Sequence, residues 1–208
     1  MLERLRDAVR FSPLYPAVRA VDERVDLVSW RLRGRPAPSP HLVKQRAVLA
    51  MQARFSLRVL VETGTFLGNM LGAVRHRFER VVSIEVDPVL HSFAARRFAG
   101  EPGVTLLRGD SAELLPRVLA ELDRPALFWL DAHPRRARDW TRGTPVAAEL
   151  AAVLAHGVDG HVVLVDDAHL FDGRHGTPPL AEVEALVRDG HPGWTIAVED
   201  DVIRAHAP

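Results

Sequence analysis

Three aspartates stand at the ends of two apolar runs in this 208-residue chain. Asp131 closes Phe128-Trp-Leu-Asp131-Ala-His133, and Asp166 and Asp167 close Val163-Leu-Val-Asp166-Asp167-Ala-His169. If the runs are neighbouring parallel strands, about 4.8 Å apart, all three carboxylates share one small volume. Charges so close repel, and some take up protons unless a cation neutralises them. Oxygen ligands suit a hard ion, Mg²⁺ (or Mn²⁺), so the expected metal set is Asp131, Asp166 and Asp167. The competing reading is that the paired aspartates only cap helices and terminate strands. A histidine lies two residues beyond each end. An imidazole with a pKa near ~6.5 is largely neutral at pH 7 and able to accept a hydroxyl proton. A dication would lower the pKa of that hydroxyl. His133 is the first expectation for the base and His169 the next, with Asp131 able to share the role. Either histidine alone reads equally well as a surface-loop residue. His41, His76, His91 and His156 are assigned to surface or core.

A second group of residues suits a nucleotide-like cofactor. Val61-Glu62-Thr63-Gly64-Thr65-Phe66-Leu67-Gly68 ends an apolar run in a glycine turn. Gly64 lets the backbone bend sharply and approach a ligand, and the helix after it presents free N–H groups. The dinucleotide fingerprint is absent, because Glu62 stands where its first glycine belongs. A carboxylate there disfavours a pyrophosphate and favours a cationic, amine-bearing ligand such as the sulfonium amino acid of S-adenosylmethionine. Glu85 follows Gly64 by 21 residues and ends Ser83-Ile-Glu85. That matches the spacing of about 20 for an acid holding ribose hydroxyls. Gly109-Asp110-Ser111 ends a third run and offers Asp110 and Ser111 to an adenine edge. The expected cofactor residues are therefore Glu62, Thr63, Gly64, Thr65, Gly68, Glu85, Asp110, Ser111 and Asp131.

These residues need elements that bring their strand ends to one edge. Apolar, β-branched runs at 57–61, 81–85, 104–107, 126–130 and 161–165 predict strands. Helical stretches near 68–77, 88–98, 111–121, 145–156 and 179–189 alternate with them, after a helix near 41–54. Strands apolar on both faces predict a parallel sheet covered on both sides. Thr144-Pro145 and Thr177-Pro178 each read as an N-cap followed by a first-turn proline. The end differs: Trp194–Glu199 and Val202–His206 flank a tight turn and predict an antiparallel hairpin closing the sheet. Residues 1–40 form a separate helical extension with a proline-rich linker at 34–40, and 41–208 the main domain. In that extension Val18, Val21, Val25, Val28 and Leu32 recur at spacings of three and four. This stripe either covers the domain's own core or pairs two copies in a homodimer.

Composition narrows the chemistry. The chain has no cysteine, which excludes disulfides, zinc–cysteine sites and thiol nucleophiles. Basic and acidic residues balance at 27 each, arguing against a protein that grips nucleic acid over a broad basic face. Lys44 is the only lysine, so lysine chemistry would rest on one residue, and it is given no role. No apolar run approaches the ~20 residues of a membrane span. The N-terminus lacks the apolar core of a signal peptide, and a cytoplasmic location is expected. The loops beyond the aspartates should choose the substrate. Residues 134–142 hold four arginines and Trp140, an aromatic suited to the apolar face of a pyranose, and Phe171–Gly176 is glycine-flanked.

From Val61 to Asp131, with the terminal hairpin, the chain resembles class I S-adenosylmethionine-dependent methyltransferases. E-T-G-T-F-L-G is similar to their glycine loop, S-I-E-V-D to their ribose acid, G-D-S to their adenine segment and L-D-A-H to their catalytic strand end. The resemblance extends over about 41–206. It implies a Rossmann-like, doubly wound α/β sheet of seven strands with the last antiparallel. Asp131 and the pair Asp166/Asp167 also resemble the metal positions of metal-dependent O-methyltransferases, including the macrolide-sugar group. That implies Mg²⁺-assisted methyl transfer to a hydroxyl of a sugar or oligosaccharide acceptor. Two other readings stand beside it: an NAD-dependent oxidoreductase on a similar sheet, and a non-catalytic binding module working through the N-terminal stripe.

Overall fold

Strands apolar on both faces need cover on both sides. The computed structural model, which describes residues 15–132, 144–174 and 176–208, shows that cover. After α1 (Tyr15–Leu32) and α2 (His41–Phe55) come β1 (Val59–Thr63), α3 (Asn69–Val74), β2 (Arg80–Glu85) and α4 (Pro88–Arg97). Then follow β3 (Val104–Arg108), α5 (Ser111–Ala120), β4 (Ala126–Leu130), α6 (Val146–Leu154), β5 (Val162–Val165), α7 (Leu180–Gly190), β6 (Thr195–Glu199) and β7 (Val202–His206).

The strands form one seven-stranded sheet in the order β3-β2-β1-β4-β5-β7-β6. β1 to β5 pair in parallel, and β7 runs antiparallel to both β5 and β6. This is the expected Rossmann-like architecture. Strand order reverses between β1 and β4, and in such sheets the ligand crevice lies at that reversal, beyond the carboxyl ends of the strands.

The two-residue period of each strand divides the core in two. Phe128 and Leu130 of β4 face Leu115, Leu150 and Val183 from α5, α6 and α7. Leu127 and Trp129 face Val48, Leu71 and Ala94 from α2, α3 and α4. Asp87 caps α4 by accepting from Val89 N–H and Leu90 N–H, ahead of Pro88. Among the described residues no helix is long and apolar enough to cross a membrane.

Two local expectations change. Thr177 caps no helix: its hydroxyl donates to the Leu170 and Arg174 carbonyls, tying the loop together, and α7 begins only at Leu180. The N-terminal stripe does not cover the domain's own core. Val21, Val25, Val28 and Leu32 are 56–83% exposed, while α1 buries Leu27 and Trp30 against Val43. Glu23 completes the contact with α2, accepting from His41 and Gln45, while Arg19 one turn earlier on α1 donates to the same carboxylate.

Candidate active site

Because Leu60, Val81, Leu127 and Leu164 all face α2–α4, the same period puts Glu62, Ser83, Glu85, Asp131 and Asp166 on that face at the carboxyl edge. Five residues from four strands are thus gathered by strand register alone.

The glycine turn is built for close approach. Gly64 has φ +82°, and a Cβ there would lie 2.4 Å from the Asp131 carbonyl oxygen, so the turn sits hard against the end of β4. Gly68, at φ +69°, packs with equal closeness on the Phe98 ring. Gly64 N–H and Thr65 N–H both donate to the Ile84 carbonyl, binding the turn to β2. Glu62 is almost wholly buried and accepts from the Ser83 hydroxyl, which lies 2.6 Å from Thr65 Oγ1. Burial pushes the Glu62 pKa up to about 8; the Ser83 hydrogen bond opposes this and the Glu85 charge adds to it. Glu85 accepts from Phe66 N–H at 2.7 Å and Asp87 N–H at 2.9 Å, which orients its carboxylate at the end of β2. Thr63 and Ser111 are buried, and Asp110 is exposed and caps α5 through Ala112 N–H. Asp110 therefore has a structural role whatever else it does. A cradle with no room for a Cβ, flanked by two buried carboxylates, fits a ligand carrying an ammonium and ribose hydroxyls.

The acid cluster contains a cation already. Lys44 of α2 reaches across to β5, its Nζ 2.7 Å from the Asp166 carboxylate and 2.7 Å from Asp167 Oδ1. Burial disfavours the ammonium, but the two carboxylates overcome that and hold its pKa above the ordinary lysine value. Burial raises the Asp166 pKa to about 6 despite Lys44. Asp131 stays well above the carboxylate range, through burial first and then the Asp166 charge. Ligands about 2.1 Å from one Mg²⁺ lie within about 4.2 Å of each other. Among the described residues the one group whose ligand atoms come within 4.8 Å is Asp167, His169 and Asp201. The expected set of Asp131, Asp166 and Asp167 is not such a group, and Lys44 stands between two of its members. With Lys44 in place, these residues do not fit a divalent ion.

His169 is exposed at the start of the turn after β5, with ring Nδ1 2.8 Å from Asp201 Oδ2 and the His169 backbone N–H donating to Asp201 Oδ1. An imidazole that donates from Nδ1 to a carboxylate carries its lone pair on Nε2. Beside it opens a cleft of about 340 Å³ lined by Trp30, Arg35, Ser39, His169, Asp200 and Asp201. His133 and residues 134–142, with Trp140 and the arginines, lie outside the described residues.

Sequence reasoning missed four participants. Lys44 carried one signal, being the only lysine. Glu149 carried another, a carboxyl in the otherwise apolar stretch Val146–Leu154. It is fully buried, its carboxyl oxygens make no hydrogen bond of normal geometry although the Thr63 and Ser111 hydroxyls are near, and burial raises its pKa to about 7. Ser83 and Asp201 carried none, since only strand pairing places them here.

No family model matches the chain, and no curated protein matches it in sequence. Solved structures share its fold. An O-methyltransferase from Bacillus cereus, in complex with SAH, superposes with a TM-score of 0.58 at 14% identity, over 89% of this chain and 90% of that one. The O-methyltransferase TomG from Streptomyces achromogenes, involved in tomaymycin synthesis and solved with SAM, gives 0.54 at 17% identity over 89% of each. A putative caffeoyl-CoA O-methyltransferase from Staphylococcus aureus gives 0.54 at 13% identity, over 89% of this chain and 92% of that one. The chain therefore has the fold of class I S-adenosylmethionine-dependent methyltransferases.

Proposed function

We propose that the chain is an S-adenosylmethionine-dependent O-methyltransferase acting on a hydroxyl of a sugar or oligosaccharide. The observation that carries the reading is the pair of buried carboxylates, Glu62 and Glu85, flanking a glycine turn at the strand-order reversal. Glu62 would hold the donor's ammonium and Glu85 its ribose hydroxyls. Thr63, Thr65 and Gly68 shape the turn, and Asp110 and Ser111 border the adenine side. When bound, the donor supplies a methyl group on a sulfonium, open to in-line attack by an oxygen. The acceptor fits the cleft between Arg35 and the turn Asp200–Asp201, whose charged and hydrogen-bonding groups suit a polyhydroxylated molecule. His169, oriented by Asp201, is the described histidine set to take the hydroxyl proton, a role His133 and Asp131 would share or exchange with it. The residues leave no place for the expected Mg²⁺, and no step runs through it. The exposed stripe on α1 supports pairing of two copies into a homodimer.

Calorimetry with SAM and SAH, against NAD as control, tests the cofactor. Incubation with methyl-labelled SAM and a panel of sugars and phenols tests the acceptor. SAH binding with label appearing on sugars is expected. Selective binding of NAD, or label only on phenols, would remove the donor or the acceptor part.

A further inference from the structure

The chain writes arginine at every basic position but one, and that one exception is the only buried cationic side chain among the described lysines and arginines. Lys44 is 8% exposed, and its ammonium touches two carboxylates from a different element. A lysine ammonium is a compact point charge on a long stem, whereas a guanidinium is a planar fork demanding a paired planar partner. At a point between two separate carboxylates, the compact charge fits.

We infer that Lys44 is the resident cation of this site, standing in the place of a divalent ion, so that the acid pair Asp166/Asp167 is held ready without any metal. Two arguments converge on this. Mg²⁺ demands near-octahedral geometry and sheds its water reluctantly, but with Lys44 lodged between Asp166 and Asp167 the three aspartates Asp131, Asp166 and Asp167 do not close round one point. An ion entering between Asp166 and Asp167 would also expel Lys44 from both partners, leaving a buried ammonium unpaired. The tether on α2 further links the acid pair to the helix that packs beneath the donor's side of the sheet. Lys44 is thus a positioning residue: it acts through Asp166 and Asp167. Its consequence for turnover rests on the methyltransferase reading above, while its consequence for ion binding rests on geometry alone.

The test titrates Mn²⁺ into the whole protein by calorimetry and electron paramagnetic resonance. Wild type is expected to show no Mn²⁺ site that depends on Asp166. Lys44→Ala is expected to gain one site, lost again when Asp166→Asn is added. An Mn²⁺ site in wild type that Asp166→Asn removes overturns the inference, and so does a folded Lys44→Ala that gains none. Should Lys44→Ala fail to fold, the wild-type titration decides by itself. With an acceptor in hand, wild-type transfer should be indifferent to EDTA. Lys44→Ala should lose roughly a hundredfold in kcat and recover part of it on adding Mg²⁺, a rescue that a merely structural lysine would not allow. Transfer abolished by EDTA and restored by Mg²⁺ in wild type overturns the proposal. SAH binding on the same samples separates the two readings: its absence removes the methyltransferase assignment and leaves the Mn²⁺ result standing.

Discussion

Glu62 is a carboxyl whose charge depends on what lies beside it. With its pKa raised to about 8 by burial, it is mostly protonated at neutral pH until a cation arrives. Binding an ammonium there must release a proton. SAH affinity should therefore rise from about pH 6 to about pH 8, at most tenfold per unit, and level off above. Calorimetry in buffers of different ionisation enthalpy would detect the proton, and Glu62→Gln should flatten the profile. A flat wild-type profile would refute ammonium binding at Glu62. Glu85 acts through its position instead, its carboxylate fixed by two backbone N–H groups. Glu85→Ala should weaken SAH binding roughly tenfold to a hundredfold, the worth of hydrogen bonds to a charged group. Both acids were legible as strand-end carboxylates around a glycine. The partner of Asp166 was not, because nothing local to Lys44 in sequence says that α2 will cross β5.

At the scale of elements, the glycine turn and the N-terminal helix make opposite demands. Gly64→Ala would place a methyl 2.4 Å from the Asp131 carbonyl oxygen at a left-handed φ. The combined strain and overlap should cost about 3 kcal/mol in denaturant unfolding, and donor binding should fall with it. An unchanged unfolding midpoint would mean that the turn and β4 are not so closely packed. On α1 the stripe of Val21, Val25, Val28 and Leu32 gains nothing from the monomer's core. Val25→Glu should leave monomer stability within about 0.5 kcal/mol and reduce the dimer fraction in sedimentation. A monomeric wild type would end the pairing proposal. The stripe's spacing was readable, but which side of α1 meets α2 was not. Leu27 and Trp30 take that contact, away from the three-four repeat.

For the whole molecule, buried ionisable groups tilt stability with pH. Glu149 and Glu62 have folded pKa values raised from 4.5 to about 7 and about 8. The stability they contribute is complete below about pH 4.5 and is lost as pH rises through those values. His161, lowered from 6.5 to about 4 by burial, works the other way, and its contribution fades as pH falls below 6.5. Above about pH 6.5 only the carboxyl effect remains. The apo protein should thus lose thermal stability between about pH 6.5 and pH 8, and Glu149→Gln should shallow that slope. A wild-type Tm that rises across this range would contradict the burial of both acids.

Strand and helix periods, with acids and glycine at successive run ends, determined the sheet, its parallel body and antiparallel finish, and the edge at which chemistry collects. These features follow from local pattern, since a two-residue period and a turn residue act over a few positions. Tertiary structure alone decided what meets at that edge. A helix distant in sequence delivers Lys44 between Asp166 and Asp167, the hairpin turn brings Asp201 to His169, and α6 buries Glu149 beside Thr63. Each of these contacts joins residues far apart along the chain, and those of Lys44 and Glu149 are also governed by burial, which no stretch of sequence carries by itself.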